Sequence, residues 1–283
     1  MVAPGRQGAA PWSRDLAPWR LGRLSLDYVL DSIELSRAGG DVIDRLLIAA
    51  IFDANVAPVK RDPSLQFAYG ALDDAPPEAV LRPVSINGIA LSLRLPFETV
   101  RRRVGRLARQ GALVLTTRGV LVSRARIESP AFKALSQARY ERLRRFHRDL
   151  IEARALAPTA AEDGNARGVE RGAPPVRVVN RILAEYLMRT IEMVTRRVGH
   201  PLDGLLLLHV ARANLPPAGQ EPAALAPIKS GALAVLLTLP RETVRRHLQA
   251  LEREDLCHRS GKGVVLAPGI LERASTAALL KEN

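Results

Sequence analysis

The chain has 283 residues, 47% hydrophobic and 25% charged, enough for two globular domains and outside the composition of disordered or fibrous proteins. Its formal charge of +13 predicts attraction to a polyanion, either nucleic acid or an acidic membrane surface. Cys257 is the only cysteine, which excludes an intramolecular disulfide, and neither a signal-peptide core nor a membrane-length apolar run occurs, so a cytoplasmic protein without membrane contact is expected.

In chain order, residues 1–20, with Trp12 and Trp19, read as a flexible arm. A first domain is expected over 21–130. Apolar spacing predicts an amphipathic helix over Leu24–Ser36 and a more apolar one over Val42–Asn55. An insertion of about 15 residues follows within 57–85, and nothing in its composition assigns it a role. A short helix over Ser85–Leu93, the tripeptide Arg94-Leu95-Pro96 and an arginine-rich helix come next; proline suits a helix start, where its missing N–H costs nothing. LVLTTRGVLVS, from Leu113, alternates apolar and β-branched residues around a glycine-containing turn and reads as a hairpin. Residues 131–154 form a helix with a basic outer face, and 155–176, rich in Pro, Gly and Ala, form a flexible linker.

A second domain over 177–283 repeats the first. Its elements are predicted at Val178–Arg196, Leu202–Asn214 and Lys229–Leu237, followed by Thr238-Leu239-Pro240, a second arginine-rich helix and the hairpin LCHRSGKGVVL. At an offset of 144, LPFETVRRRVGRLARQ (from Leu95) falls on LPRETVRRHLQALERE (from Leu239), and roughly a third of the positions from Pro83 to Val122 are identical. Upstream the offset becomes 158 to 159, pairing RLSLDYVLDSIELS with RILAEYLMRTIEMV and VIDRLLIAAIFDANV with PLDGLLLLHVARANL. The expected fold is mainly α with small β-hairpin wings, built as two duplicated winged helix-turn-helix domains. The apolar faces of the first helices (Val29, Leu30 and Ile33; Leu183, Leu187, Ile191 and Val194) fit an intramolecular pseudo-dimer, an interchain seam or packing within each domain.

Helical geometry divides the faces of the arginine-rich segments. Val100, Val104 and Leu107 share one face; Glu98, Arg102, Arg106 and Arg109 lie opposite, with Thr99 and Gly105 at the margins and Arg101 and Arg103 on the flanks. In the second copy Val244, Leu248 and Leu251 form the apolar face. Glu242, Arg246, Gln249 and Arg253 lie opposite, flanked by Arg245 and His247. An arginine fork can donate to guanine O6 and N7 and a glutamate can accept from cytosine N4, while flanking Arg and Thr suit phosphates. Arg118 and Lys262, at the hairpin tips, are placed to reach a backbone or the minor groove.

The segment LPRETVRRHLQALEREDLCHRSGKGVVL resembles the DNA-reading domain of the cyclic-AMP receptor protein family of bacterial transcription regulators. The resemblance implies base contacts by Arg241, Glu242 and Arg246 and a backbone contact by Thr243; the first copy keeps Glu98, Thr99 and Arg102 but carries Phe97 in place of the first arginine. It covers about a quarter of the chain, or half with both copies, and it implies the DNA-reading surface without a cyclic-nucleotide response, since no cyclic-nucleotide barrel is expected in this sequence.

Other chemistry is absent from the sequence pattern. The five histidines and Cys257 show no zinc-ligand spacing; no phosphate loop, dinucleotide fingerprint or nucleophile elbow occurs; SGKG reads as a hairpin turn. No enzyme, cofactor or metal is expected. The expected activity is sequence-specific binding of double-stranded DNA by a nucleoid-associated regulator, monomeric as a pseudo-dimer or homodimeric, with RNA polymerase or another regulator as candidate further partners. A replication initiator, a nucleoid-associated factor and a winged-helix protein-interaction module remain alternatives.

Overall fold

The computed structural model describes residues 18–37, 40–157, 173–215, 226–268 and 270. Most of the expected arm (1–17) and linker (158–172) lie outside the described residues. Helices dominate, and the strands among the described residues form two antiparallel hairpins.

Helix α1 (Pro18–Glu34) begins within the expected arm and buries Leu24, Tyr28, Val29, Leu30 and Ile33. Helix α2 (Val42–Asn55) starts at Asp41, whose side chain caps it by accepting from the Asp44 amide. The insertion folds as α3 (Ala57–Arg61), α4 (Pro63–Ala68) and a 3-10 turn at Glu78–Val80. Asp62 caps α4 through the Ser64 and Leu65 amides, and Pro63 opens it. Helix α5 (Ile86–Leu93) is capped by Ser85 and stopped by Arg94, whose φ of 50° turns the chain into α6 (Phe97–Arg109). Strands β1 (Leu113–Thr116) and β2 (Gly119–Val122) pair next, followed by α7 (Arg124–Glu128) and the long α8 (Pro130–Glu152).

The element order then recurs: α9 (Val176–Val198), α10 (Pro201–Asn214), α11 (Ser230–Leu237), α12 (Arg241–Arg253), β3 (Cys257–Ser260) and β4 (Gly263–Leu266). Details recur with it. Thr238 stops α11 with a φ of 56°, as Arg94 stops α5. Gly119 and Gly263 have φ of 134° and 147°, and a Cβ there would lie 2.6 Å from the Val84 carbonyl oxygen and 2.7 Å from that of Ile228. Only glycine permits the bridges Val84–Val120 and Ile228–Val264 that bring a third segment against each hairpin.

A buried asparagine ties each hairpin to the helix behind it. Asn55 donates to the Arg82 and Val120 carbonyls (2.8 and 3.0 Å) and accepts from the Val122 amide (2.9 Å). Asn214 donates to the Ala226 and Val264 carbonyls (2.6 and 3.4 Å) and accepts from the Leu266 amide (2.6 Å).

One apolar core runs through both sets of elements. Helix α9 packs on α10 of its own set and on α2 of the other; α1 packs across on α10 and against α8. The first helices therefore serve both as internal packing and as an intramolecular seam. Tyr28 stacks on Phe146 at 4.6 Å and tilts against Tyr186 at 6.3 Å. The insertion joins the seam: Arg181, 2% exposed, donates to the Tyr69 and Gln66 carbonyls (2.8 and 3.1 Å), and Arg177 to that of Leu72 (2.8 Å). Arg45 reaches across to the Leu237 carbonyl at the end of α11 (3.3 Å).

His209 on α10 is buried in this seam, and burial, with Arg212, Arg45 and Arg37 nearby, pushes its pKa down to about 4. Its folded value lies below that of an unfolded histidine, so the unfolded chain binds the proton first as pH falls. Stability is expected to drop by about 2 kcal/mol between pH 7 and pH 5 from this group alone. Burial lowers the His200 pKa too, adding in the same direction. Denaturant melts at the two pH values check this, and His209→Leu should remove most of the slope.

Candidate nucleic-acid interface

Helices α6 and α12 bury the expected faces: Val100, Val104 and Leu107 in one, Val244, Leu248 and Leu251 in the other. Opposite them Glu98, Arg101, Arg102, Arg106 and Arg109 are exposed, as are Arg241, Glu242, Arg245, Arg246 and Arg253. Thr99, Thr243 and Gln249 are half-buried. Among the described residues, Arg102, Arg109, Arg241 and Arg246 make no hydrogen bond or ion pair, so these guanidinium groups are available to a ligand. Each helix lacks a side-chain cap at its proline start, which leaves its first amides and positive dipole end open to an anion.

Two internal pairs are matched. Arg101 forms a fork on Glu98 (2.8 and 2.6 Å) and Arg245 on Glu242 (2.8 and 2.5 Å), holding both carboxyls below the usual carboxylate range. These pairs are exposed, so they orient the side chains and add little stability. The hairpin tips match as well. The Thr116 and Ser260 hydroxyls accept from the Arg118 and Lys262 amides (both 3.2 Å), and both basic side chains are exposed.

Three expected contact residues are tied to an acid behind their helix, Arg103 and His247 half-buried and Arg106 still exposed. Arg103, half-buried, donates to Asp41 (2.8 Å) and to Asp44 (2.7 Å), and Arg106 also reaches Asp44 (2.5 Å). In the second set His247 contacts Asp203 at 2.7 Å, and its ring lies 4.8 Å from that of His200. An acid in the first turn of α2 or α10 thus grips α6 or α12, through arginine in one set and histidine in the other. The match Asp44/Asp203 and the match Asn55/Asn214 stand in the paired segments VIDRLLIAAIFDANV and PLDGLLLLHVARANL, a signal that attention to the basic residues passed over. A further brace, Arg259 forking on Glu252 (2.8 and 2.6 Å), fixes β3 to α12; Leu115 and Ala108 stand at the matching places of the first set.

His200, Asp203 and His247 place one donor atom each within 4.8 Å of one another, a grouping that ligand spacing along the chain does not reveal. Two imidazoles and a carboxylate are a donor set for zinc-like metals. One nitrogen of each ring is engaged: His200 Nδ1 accepts from the Leu202 amide at 3.1 Å and caps α10, and His247 Nδ1 meets Asp203. Cys257 is buried at the start of β3, and desolvation raises its thiol pKa to about 12, so it offers no thiolate.

Compared with protein-family models, with curated proteins and with solved structures, the chain gives no match.

The inward and outward arginines separate experimentally. Arg103→Ala leaves the 8%-exposed Asp44 with only Arg106 and is expected to destabilise the fold by about 2 kcal/mol. Arg102→Ala should change stability by less than about 0.5 kcal/mol. Urea melts of the two variants check this.

Proposed function

We propose that the chain is a sequence-specific double-stranded DNA-binding regulator, built from two duplicated winged helix-turn-helix units of the kind that the cyclic-AMP receptor protein family uses to read DNA. The observation that carries this reading is the pair of arginine-rich helices, each anchored by its apolar face and each presenting unpaired guanidinium groups outward. In both units a short helix, a left-handed stop and a proline-led helix come in that order, and a hairpin with an exposed cation at its tip follows.

In this reading α6 and α12 enter successive major grooves. Arg246 and Arg241, with Glu242, read base edges in one half-site; Arg102 and Arg109, with Glu98, read the other. Thr99, Thr243, Arg101 and Arg245 hold phosphates, and Arg118 and Lys262 reach the backbone beside the hairpins. Gln249, half-buried on the outer side of α12, adds an amide able to pair with adenine. Arg103, Arg106 and His247 contribute by setting the pitch of the helices through Asp44 and Asp203, and not by touching bases. Phe97, 48% exposed where the second unit has Arg241, suits a thymine methyl. The two half-sites therefore differ. One chain acts as a pseudo-dimer, and a protein of this kind works at the nucleoid.

Binding to random duplex and to selected genomic fragments over a salt series tests the proposal. The expected outcome is a steep loss of affinity with salt together with preference for particular fragments. Arg246→Ala should relax preference at one base position and cost about 1–3 kcal/mol, whereas Lys262→Ala should weaken all sequences alike and lower the salt slope by about 1. Weak binding without preferred fragments would sink the reading.

A further inference from the structure

The polar junction behind each arginine-rich helix is built from the same four positions, and the two sets fill them with different chemistry. In the first set they hold Asp41, Asp44, Arg103 and Arg106. There the Arg103 guanidinium sits between the two acids (2.8 and 2.7 Å), and Arg106 takes the second oxygen of Asp44. In the second set the offsets of 159 and 144 bring His200, Asp203, His247 and Ala250 to those places. One acid is kept, an acid and an arginine become imidazoles, and the other arginine is cut back to a methyl group.

We propose that His200, Asp203 and His247 bind a divalent transition metal of the zinc class, which takes the place of the Arg103 guanidinium and fastens α12 to the start of α10.

The three donor atoms lie within 4.8 Å of one another, although His247 is 44 residues from Asp203 and on another helix. Charge favours a cation at this point. Asp203 is 6% exposed, and among the described residues no lysine or arginine pairs with it, whereas Asp44 has two arginines. With neutral imidazoles the junction carries one negative charge, where the first set balances two acids with two guanidinium groups. Imidazole nitrogen and carboxylate oxygen select zinc and its neighbours over magnesium or calcium, which take oxygen donors. The ion replaces the proton that His247 Nδ1 and Asp203 share at 2.7 Å, and His200 adds the third donor, giving up its bond to the Leu202 amide. His200 and His247 are half-buried, so water can complete a four-coordinate shell.

His247 directly follows Arg246, so the ion would fix the mount of an arginine that the DNA-binding reading assigns to a base. Metal binding itself does not rest on that reading.

Calorimetric titration of the untagged, chelator-stripped full chain with zinc chloride, in two buffers of different ionisation enthalpy, tests the proposal. The expected result is one equivalent bound with a Kd at or below about 1 μM and an enthalpy that differs between buffers, because a proton is released. Magnesium should not compete. The double variant His200→Asp, His247→Arg rebuilds the acid-and-arginine junction of the first set, which keeps the fold, and should weaken zinc about a hundredfold or more. Amide exchange should slow on zinc binding across 241–253 and stay unchanged across 97–109. Absence of saturation up to about 100 μM zinc, equal competition by magnesium, or unchanged affinity in the double variant would overturn the site. Zinc binding with no slowing across 241–253 would overturn the fastening of α12. A chain that binds zinc here and recognises no DNA would count against the function proposed above and not against the metal site.

Discussion

Everything the outer face of each arginine-rich helix can do depends on one carboxylate placed behind it. Asp44 and Asp203 sit in the first turn of the helix that backs α6 or α12, almost inaccessible to water, and each needs a positive or hydrogen-bonding partner from the helix in front. That need fixes the rotation of α6 and α12 about their own axes. The valine and leucine stripe supplies most of the attraction, but an apolar stripe is non-directional and tolerates small rotations. A charge-assisted bond does not, and the arginines a turn away are aimed accordingly.

The two sets of elements meet this shared constraint in different ways. Arg103 and Arg106 both serve Asp44, while His247 alone serves Asp203 and an alanine stands at position 250. The second set makes up the difference with Arg259 on Glu252, which braces the hairpin from outside. The first set has an apolar pair there. The same kind of exchange occurs at the seam, where an arginine at position 212 corresponds to an aspartate at 53. The differences around Asp44 and Asp203 substitute one way of satisfying a buried charge for another, whereas the Arg259–Glu252 brace adds a charged pair where the first set has an apolar one.

The element order was legible in the sequence because the chain states it twice. The offset of 144 from Pro83 onward carries every helix and strand boundary of α5, α6, β1 and β2 onto its partner, so weak signals in one copy were reinforced by the other. The apolar faces were legible for the same reason. What helical periodicity could not supply was the identity of the neighbour across the groove. Arg103 is separated from Asp41 and Asp44 by 62 and 59 residues, and a helical wheel that places it on a flank cannot tell solvent from a buried acid. The grouping of His200 with His247 was hidden likewise, since it depends on how α10 meets α12. The folded state of the insertion was hidden by its proline-rich composition; its order comes from Arg177 and Arg181, more than a hundred residues further on.

The seam has a geometric consequence. Because α1 lies on α10 and α9 on α2, and because Arg45 is bonded to the carbonyl that ends α11, the separation of the two arginine-rich helices is a property of packed side chains and does not follow the length of the connecting segment. The molecule behaves as a ruler whose span is set at folding. On the DNA reading, spacer length in the target becomes as much a part of recognition as base identity: five extra base pairs turn a half-site by about half a helical turn, to the far side of the duplex. No rearrangement of a tether could follow it there.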